Sequence, residues 1–161
     1  MEYIIRKAVE ADMSQVLGLT LELAVFEKED DAVEITVEDL VTDGFGDVKK
    51  FQCFVAEKQG VIVGSALVYP RYSTWKGTVL HLEDLIVTEQ MRGSGLGTAL
   101  LNKVVRYGYD LGVKRISWEV LDWNENAINF YESKGAKVMR DWDVVQLNEE
   151  GMRTYLKNME D

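Results

Sequence analysis

The stretch Val87-Thr88-Glu89-Gln90-Met91-Arg92-Gly93-Ser94-Gly95-Leu96-Gly97-Thr98 decides how this chain is read, because it joins a strand pattern to a helix pattern through glycines. Upstream, His81-Leu82-Glu83-Asp84-Leu85-Ile86-Val87 is short, apolar-rich and β-branched at its end, the pattern of a buried strand. Downstream, Leu96, Ala99, Leu100, Val104 and Leu111 recur at helical spacing. Glycines at alternate positions allow a tight turn and bring bare amides close to a ligand. At a helix start such amides form a concave anion site, and Arg92 adds a positive charge to it. A strand, a glycine loop and a helix in that order predict a cradle for a pyrophosphate.

The spacing separates this loop from two other phosphate loops. A P-loop ends in Gly-Lys-Ser/Thr, whereas Gly97 is followed directly by Thr98. A dinucleotide fingerprint counted from Gly93 needs glycine where Thr98 stands. It also opens the first strand–helix unit of its fold, whereas this loop lies past the middle of the chain. The pattern that fits is R-x-x-G-x-G, from Arg92 to Gly97. It resembles the acetyl-coenzyme A loop of the GNAT acetyltransferase superfamily. Taken alone, the same glycines also suit a turn without a ligand.

Outward from the loop, the bulk properties bound the answer. A chain of 161 residues has the length of one self-sufficient domain, so a single domain over 1–161 is expected. Its 47% hydrophobic and 29% charged residues are ordinary for a globular protein. No apolar run approaches membrane-spanning length, and Met1-Glu2-Tyr3-Ile4-Ile5-Arg6-Lys7 lacks the apolar core of a signal peptide. One cysteine, Cys53, excludes an intramolecular disulfide and fits a reducing cytoplasm, the expected location. With one histidine besides, no metal site is expected.

A net charge of −10 repels phosphate backbones and anionic lipid, so neither nucleic acid nor a membrane is expected as partner. The charge is also uneven. Glu27, Glu29, Asp30, Asp31, Glu34, Glu38, Asp39, Asp43 and Asp47 crowd one segment that holds a single lysine, Lys28. A solvated face and an attractor for a cationic substrate both fit that run.

The remaining pattern predicts a strand over 3–7 and a helix over 10–26 with a broad apolar stripe. Thr36 caps a short helix over 37–42 that Gly44 stops. Strands over 51–57 and 61–69 form a hairpin around Lys58-Gln59-Gly60, and Pro70 ends the second. A strand over 77–87 precedes the loop, and Gly112 terminates the helix after it. Then follow a strand over 115–120, a helix over 124–134 capped by Gly135, a strand over 143–147 and a helix over 149–159. That order predicts an α/β fold, a mixed central sheet flanked by helices.

A second motif makes the resemblance specific. Asn124, Ala127, Phe130, Tyr131, Gly135 and Ala136 form N-x-x-A-x-x-F-Y-x-x-x-G-A, similar to the second coenzyme A motif of GNAT proteins. The match extends to the diamine acetyltransferases, which include spermidine/spermine and thialysine acetylating enzymes. It rests on Leu21-Glu22-Leu23-Ala24 with Phe26-Glu27, Asp43-Gly44-Phe45-Gly46, Tyr72 with Trp75 and Gly77, Leu82-Glu83-Asp84, Arg92-Gly93 and Trp123-Asn124-Glu125. The likeness covers nearly the whole chain and weakens after Gly135.

The resemblance implies a homodimer in which both subunits shape an amine groove, and direct transfer of acetyl from acetyl-CoA to a small-molecule primary amine in a ternary complex. A primary amine is mostly protonated at neutral pH and must lose a proton before attack. Glu83 and Asp84 are neighbours on a strand, where side chains alternate, so one of them faces the cleft. By resemblance Glu83 draws off the proton, through water, and Tyr131 protonates the leaving thiolate.

A bulge at the end of the 82–87 strand is implied, with free amides at Leu85, Ile86 and Val87 facing the thioester and pantetheine. Arg92, Gly93, Ser94, Gly95, Leu96, Gly97 and Thr98 would hold the pyrophosphate. Asn124, Asn126 and Ala127 would bracket the pantetheine arm beside Tyr131. Glu27 aligns with a substrate-binding acid, joined by Glu83 and Asp84; Trp75 or Tyr72 would stack on the substrate chain or pack in a core.

Cys53 and His81 receive no catalytic role, since one is a small strand residue beside Phe54 and Val55 and the other lacks a partner set. Two further readings keep the fold: a protein lysine or amino-terminal acetyltransferase, and a non-catalytic acyl-coenzyme A sensor.

Overall fold

The computed structural model describes residues 2–159. They form two compact units, the first ending at Glu119 and the second starting at Val120. The first unit contains β1 (Ile4–Lys7), α1 (Met13–Phe26), α2 (Val37–Phe45), β2 (Gln52–Lys58), β3 (Val61–Ser73), β4 (Gly77–Val87), α3 (Leu96–Asp110) and β5 (Ile116–Ser117). The second contains α4 (Glu125–Ser133) and α5 (Glu149–Lys157).

The sheet runs β1-β2-β3-β4-β5. Its first four strands are antiparallel and β5 lies parallel to β4, giving the mixed sheet that the sequence predicts. Lys58 pairs with Val61 across Gln59 and Gly60, whose φ angles of 53° and 79° make the two-residue turn matched to strand twist. The central strands are covered on both faces. Cys53 and Val55 join Met13, Val16, Leu19 and Leu40 in one buried cluster. Phe54, between them, is buried edge-on against Tyr107 of α3 with ring centroids 5.3 Å apart. Gly108 lets α3 lie close to the sheet, since a Cβ there would stand 2.9 Å from the Ile116 side chain. Burying these alternating side chains on both sides drives the sheet together.

A half-buried ion pair ties the first elements. Asp12, 6% exposed, accepts from both terminal nitrogens of Arg6 at 2.6 and 2.9 Å and from the Val9 amide at 2.8 Å. Arg6 Nε also donates to Glu57 of β2 at 2.8 Å. The Arg6 hydrogen bond holds the Asp12 carboxyl below the usual carboxylate range. This network occupies the expected helix start, where Glu10–Asp12 form a 3-10 turn and the α-helix begins at Met13.

Other boundaries differ from expectation for identifiable reasons. The second helix passes through Gly44 to Phe45 and closes at Gly46, while its start has the expected Thr36 cap, reciprocated by Asp39. Pro70 does not end β3, which continues to Ser73. Pairing of β2 stops at Val68, so Pro70 sits where only β4 lies alongside and its missing N–H leaves no ladder bond broken. The predicted strand over 115–120 is reduced to Ile116–Ser117. The predicted strand over 143–147 is not formed: no described strand lies alongside it, and Val144 and Val145 are 63% and 91% exposed.

Candidate active site

The glycine loop follows β4 through a 3-10 turn, Glu89–Met91. Gly93 and Gly95 have φ angles of +75° and +86°, and a Cβ on either would meet nothing within 4 Å. The loop therefore adopts the left-handed region and faces open space. Ser94 Oγ donates to the Met91 carbonyl at 2.5 Å, closing the turn. The first bond of α3 runs from Ala99 N to Gly95 O at 3.0 Å, which leaves the amides of Leu96, Gly97 and Thr98 without intrahelical acceptors. Those amides and the helix dipole suit an anion such as a pyrophosphate.

Arg92 is held on the loop's near side. Its Nε donates to the Val87 carbonyl at 3.2 Å, and its guanidinium lies 5.0 Å from the Phe26 ring centroid. Glu22 fastens α1 to the same corner, accepting from Glu89 N at 2.7 Å and Thr88 Oγ at 3.0 Å. It also stands 3.9 Å from Arg92 Nη2. The sequence signal for this role is a lone acid among the apolar residues of α1.

A bulge lies on β4, at its middle. Leu67 pairs with Asp84 and Val68 with Leu82, so Glu83 is the extra residue and strict alternation breaks there. The expected position, at the end of the 82–87 stretch, is thus corrected to its beginning. Beyond His81 no described strand pairs with the outer side of β4, so among the described strands Leu85, Ile86 and Val87 pair with β3 alone.

Three carboxylates gather around the bulge. Burial, then Glu83, then Glu27, push the Asp84 carboxyl up to about 6. Burial, then Glu29, raises Glu27, at the end of α1. The rest of the acidic run divides: Asp39 caps α2, Asp43 pairs with Lys50 at 2.7 Å, and Asp30 and Asp31 are exposed.

Glu83 itself is about half exposed at 51% and receives the Tyr69 hydroxyl at 3.0 Å. His81 Nε2 is 3.6 Å from the same carboxylate oxygen. Nothing local in the sequence marks Tyr69 or His81 as site residues; the antiparallel register that pairs them brings them to Glu83. Cys53 is buried, and that burial pushes its thiol up to about 12, so it has no nucleophilic character.

Trp75 is 82% exposed in the turn between β3 and β4, where Ser73 Oγ accepts the Trp75 and Lys76 amides at 3.3 and 3.2 Å. From Gly77 to Glu83 the strand spans roughly 20 Å, so Trp75 stands well apart from the carboxylates of its own chain. In the second unit Asn124 caps α4, its side-chain oxygen accepting from Ala127 N at 3.2 Å. Asn126 is exposed. Tyr131 is half-buried, its ring 5.3 Å from that of Phe130.

The profile of the Acetyltransferase (GNAT) family matches residues 8–136. A thialysine N-epsilon-acetyltransferase of Bos taurus is 38% identical over 161 residues, covering 93% of this chain and 95% of that protein. Among solved structures, an integron cassette protein from the mobile metagenome of V. cholerae superposes with a TM-score of 0.79 at 21% identity, covering 98% of this chain and 99% of that one. An aminoglycoside N-acetyltransferase solved in complex with CoA superposes with a TM-score of 0.72 at 18% identity, covering 90% of this chain and 94% of that one. With loop, fold and sequence in agreement, the chain belongs to the acetyltransferase (GNAT) family.

Proposed function

We propose that the protein is an acetyl-CoA-dependent amine N-acetyltransferase whose acceptor is a small diamine or a lysine-like amine such as thialysine. The observation that carries this reading is the cluster of Glu27, Glu83 and Asp84, in a chain 38% identical to a thialysine acetyltransferase. Three carboxylates close enough to raise one another's proton affinity attract a cation, and a partly desolvated pair holds a second ammonium more strongly than a surface acid would.

The loop suits the cofactor by its two open left-handed glycines and its helix amides without intrahelical acceptors. Arg92, Gly93, Ser94, Gly95, Leu96, Gly97 and Thr98 would hold the pyrophosphate, and the strand edge at Leu85, Ile86 and Val87 the pantetheine. Asn124, Asn126 and Ala127 would flank that arm. When bound, acetyl-CoA supplies an activated acetyl thioester.

The protein's own groups handle the protons. Carboxylates stabilise the ammonium form of a bound amine, so binding and deprotonation need different residues. Glu27 and Asp84 anchor the distal ammonium. Glu83, half exposed to solvent, draws the proton from the reacting nitrogen, through water. Tyr131 supplies a proton to the departing sulfur. Transfer is direct, in a ternary complex.

The family profile crosses from the first unit into the second, which supports one functional domain over the chain. Trp75 and the exposed apolar residues Met139, Trp142, Val144 and Val145 support a homodimer, since such surface is costly in water. Contact of Trp75 with substrate rests on that dimer. No described helix is long and apolar enough to cross a membrane, and we place the protein in the cytoplasm. Steady-state turnover on spermidine, diaminopropane, thialysine, lysine and a lysine peptide tests the reading. Turnover on a diamine or thialysine is expected; cofactor binding with no turnover on any amine would replace the enzyme by a sensor.

A further inference from the structure

We propose that His81 takes up the proton that Glu83 draws from the amine, with Tyr69 and Ser117 holding the two partners in register. The inference rests on the reading of Glu83 as the base. His81 is 7% exposed, one of three buried polar or charged residues among those described. It sits on β4 at the point where three strands meet, paired with Tyr69 of β3 and Ser117 of β5.

Its Nδ1 lies 3.4 Å from Ser117 Oγ, and its Nε2 lies 3.6 Å from Glu83 Oε2. The Tyr69 hydroxyl donates to that same oxygen at 3.0 Å, and the Tyr69 and His81 rings stand 5.1 Å apart. An imidazole whose Nδ1–H faces Ser117 presents the Nε2 lone pair to Glu83. A small rotation of the exposed Glu83 side chain closes the remaining gap.

The arrangement answers a mismatch in basicity. Ordinary carboxylates titrate near 4.3 and primary ammonium groups near 10, so a proton on a glutamate returns readily to the amine. An ordinary imidazole is about two units more basic than a carboxylate. The ammonium N–H breaks as an O–H forms on Glu83, directly or across one water. That O–H then breaks as an N–H forms at His81 Nε2. Glu83 is again ionised, and the imidazolium passes its proton to solvent by the same exposed carboxylate after product leaves. Among the described residues, the titratable and charged groups around the pair are Glu83 and Asp84 on β4, Tyr69 and Arg71 on β3, Glu119 beyond β5 and Glu27 at the end of α1.

The test uses the full chain with acetyl-CoA and whichever amine it turns over. His81→Gln is expected to lower kcat roughly 10- to 100-fold, the lower range of general acid–base effects, with KM for the amine within about twofold. Its kcat–pH profile loses the wild-type acid-side inflection, and imidazole in the buffer restores part of the rate. Ser117→Ala, which leaves the imidazole in place, displaces that inflection. Because the chain has one histidine, its ring NMR signals are identified without labelling, and they are expected to move in Glu83→Gln.

A folded His81→Gln protein with wild-type kcat and pH profile overturns the relay. So does a rate lost equally at every pH with no response to imidazole, which marks a packing role. Full activity in Glu83→Gln would instead remove the base on which the inference stands.

Discussion

Asp84→Asn separates what this carboxylate costs the fold from what it gives the site. Its carboxyl is pushed from an ordinary 3.8 up to about 6, first by burial and then by Glu83 and Glu27. The folded chain therefore binds this proton more tightly than the unfolded chain does. Stability is full below the unfolded value near 4 and is lost as pH rises from there through about 6. About two units at 1.36 kcal/mol each set an upper bound of about 3 kcal/mol by pH 8. The asparagine amide must itself be accommodated in a half-buried position, which leaves about 1–3 kcal/mol as the expected gain. For a chain of this length each kcal/mol moves Tm by about 2–4 °C.

The assay is urea denaturation of wild type and variant at intervals from pH 4 to pH 8. The stability difference is expected to start near zero and grow to a plateau above pH 7. In parallel, KM for a diamine is expected to rise several-fold in the variant, and to rise in wild type as pH falls through about 6. A stability difference that is constant across the window would refute the reasoning, because only a titrating, desolvated carboxylate gives that slope.

Three other outcomes are expected. Tyr131→Phe is expected to lower kcat by about 10²-fold or more while calorimetry shows near-unchanged acetyl-CoA affinity. Gly95→Ala places a Cβ in open space at φ +86°, so the cost is in the backbone: about 1–2 kcal/mol of stability in denaturation, with weakened cofactor binding by calorimetry. Asp12→Ala leaves Arg6 facing Glu57 without its buried partner and is expected to cost about 3 kcal/mol in a denaturation series, since Arg6 retains some solvent contact.

Where the fold was legible in the sequence, a local signal sufficed. The glycines at 93 and 95, the Thr36 and Asn124 caps and the Gln59-Gly60 turn each state their own backbone requirement. What was missed depended on neighbours far along the chain. Pro70 looks like a terminator until β2 is seen to stop short of it. Alternation of Glu83 and Asp84 follows from strand geometry until a register shift against Leu67 and Val68 breaks it. The pattern over 143–147 is strand-like, yet a strand exists only beside another. At the site, the charged run was visible but not its division, because only tertiary packing puts Glu27 near Asp84 while Asp39 and Asp43 serve α2. His81 had no apparent partner because Tyr69, Glu83 and Ser117 reach it through three strands.

Cys53, 2% exposed and with its thiol pushed up to about 12, has a practical consequence. Acetyl transfer liberates a free sulfhydryl, and chromogenic disulfide reagents count it continuously. With its lone cysteine sealed in the core, the native protein contributes no background to that colour and is not inactivated by the reagent. The same reagent becomes a clock for global opening, since slow labelling without substrate reports how often the interior is laid bare.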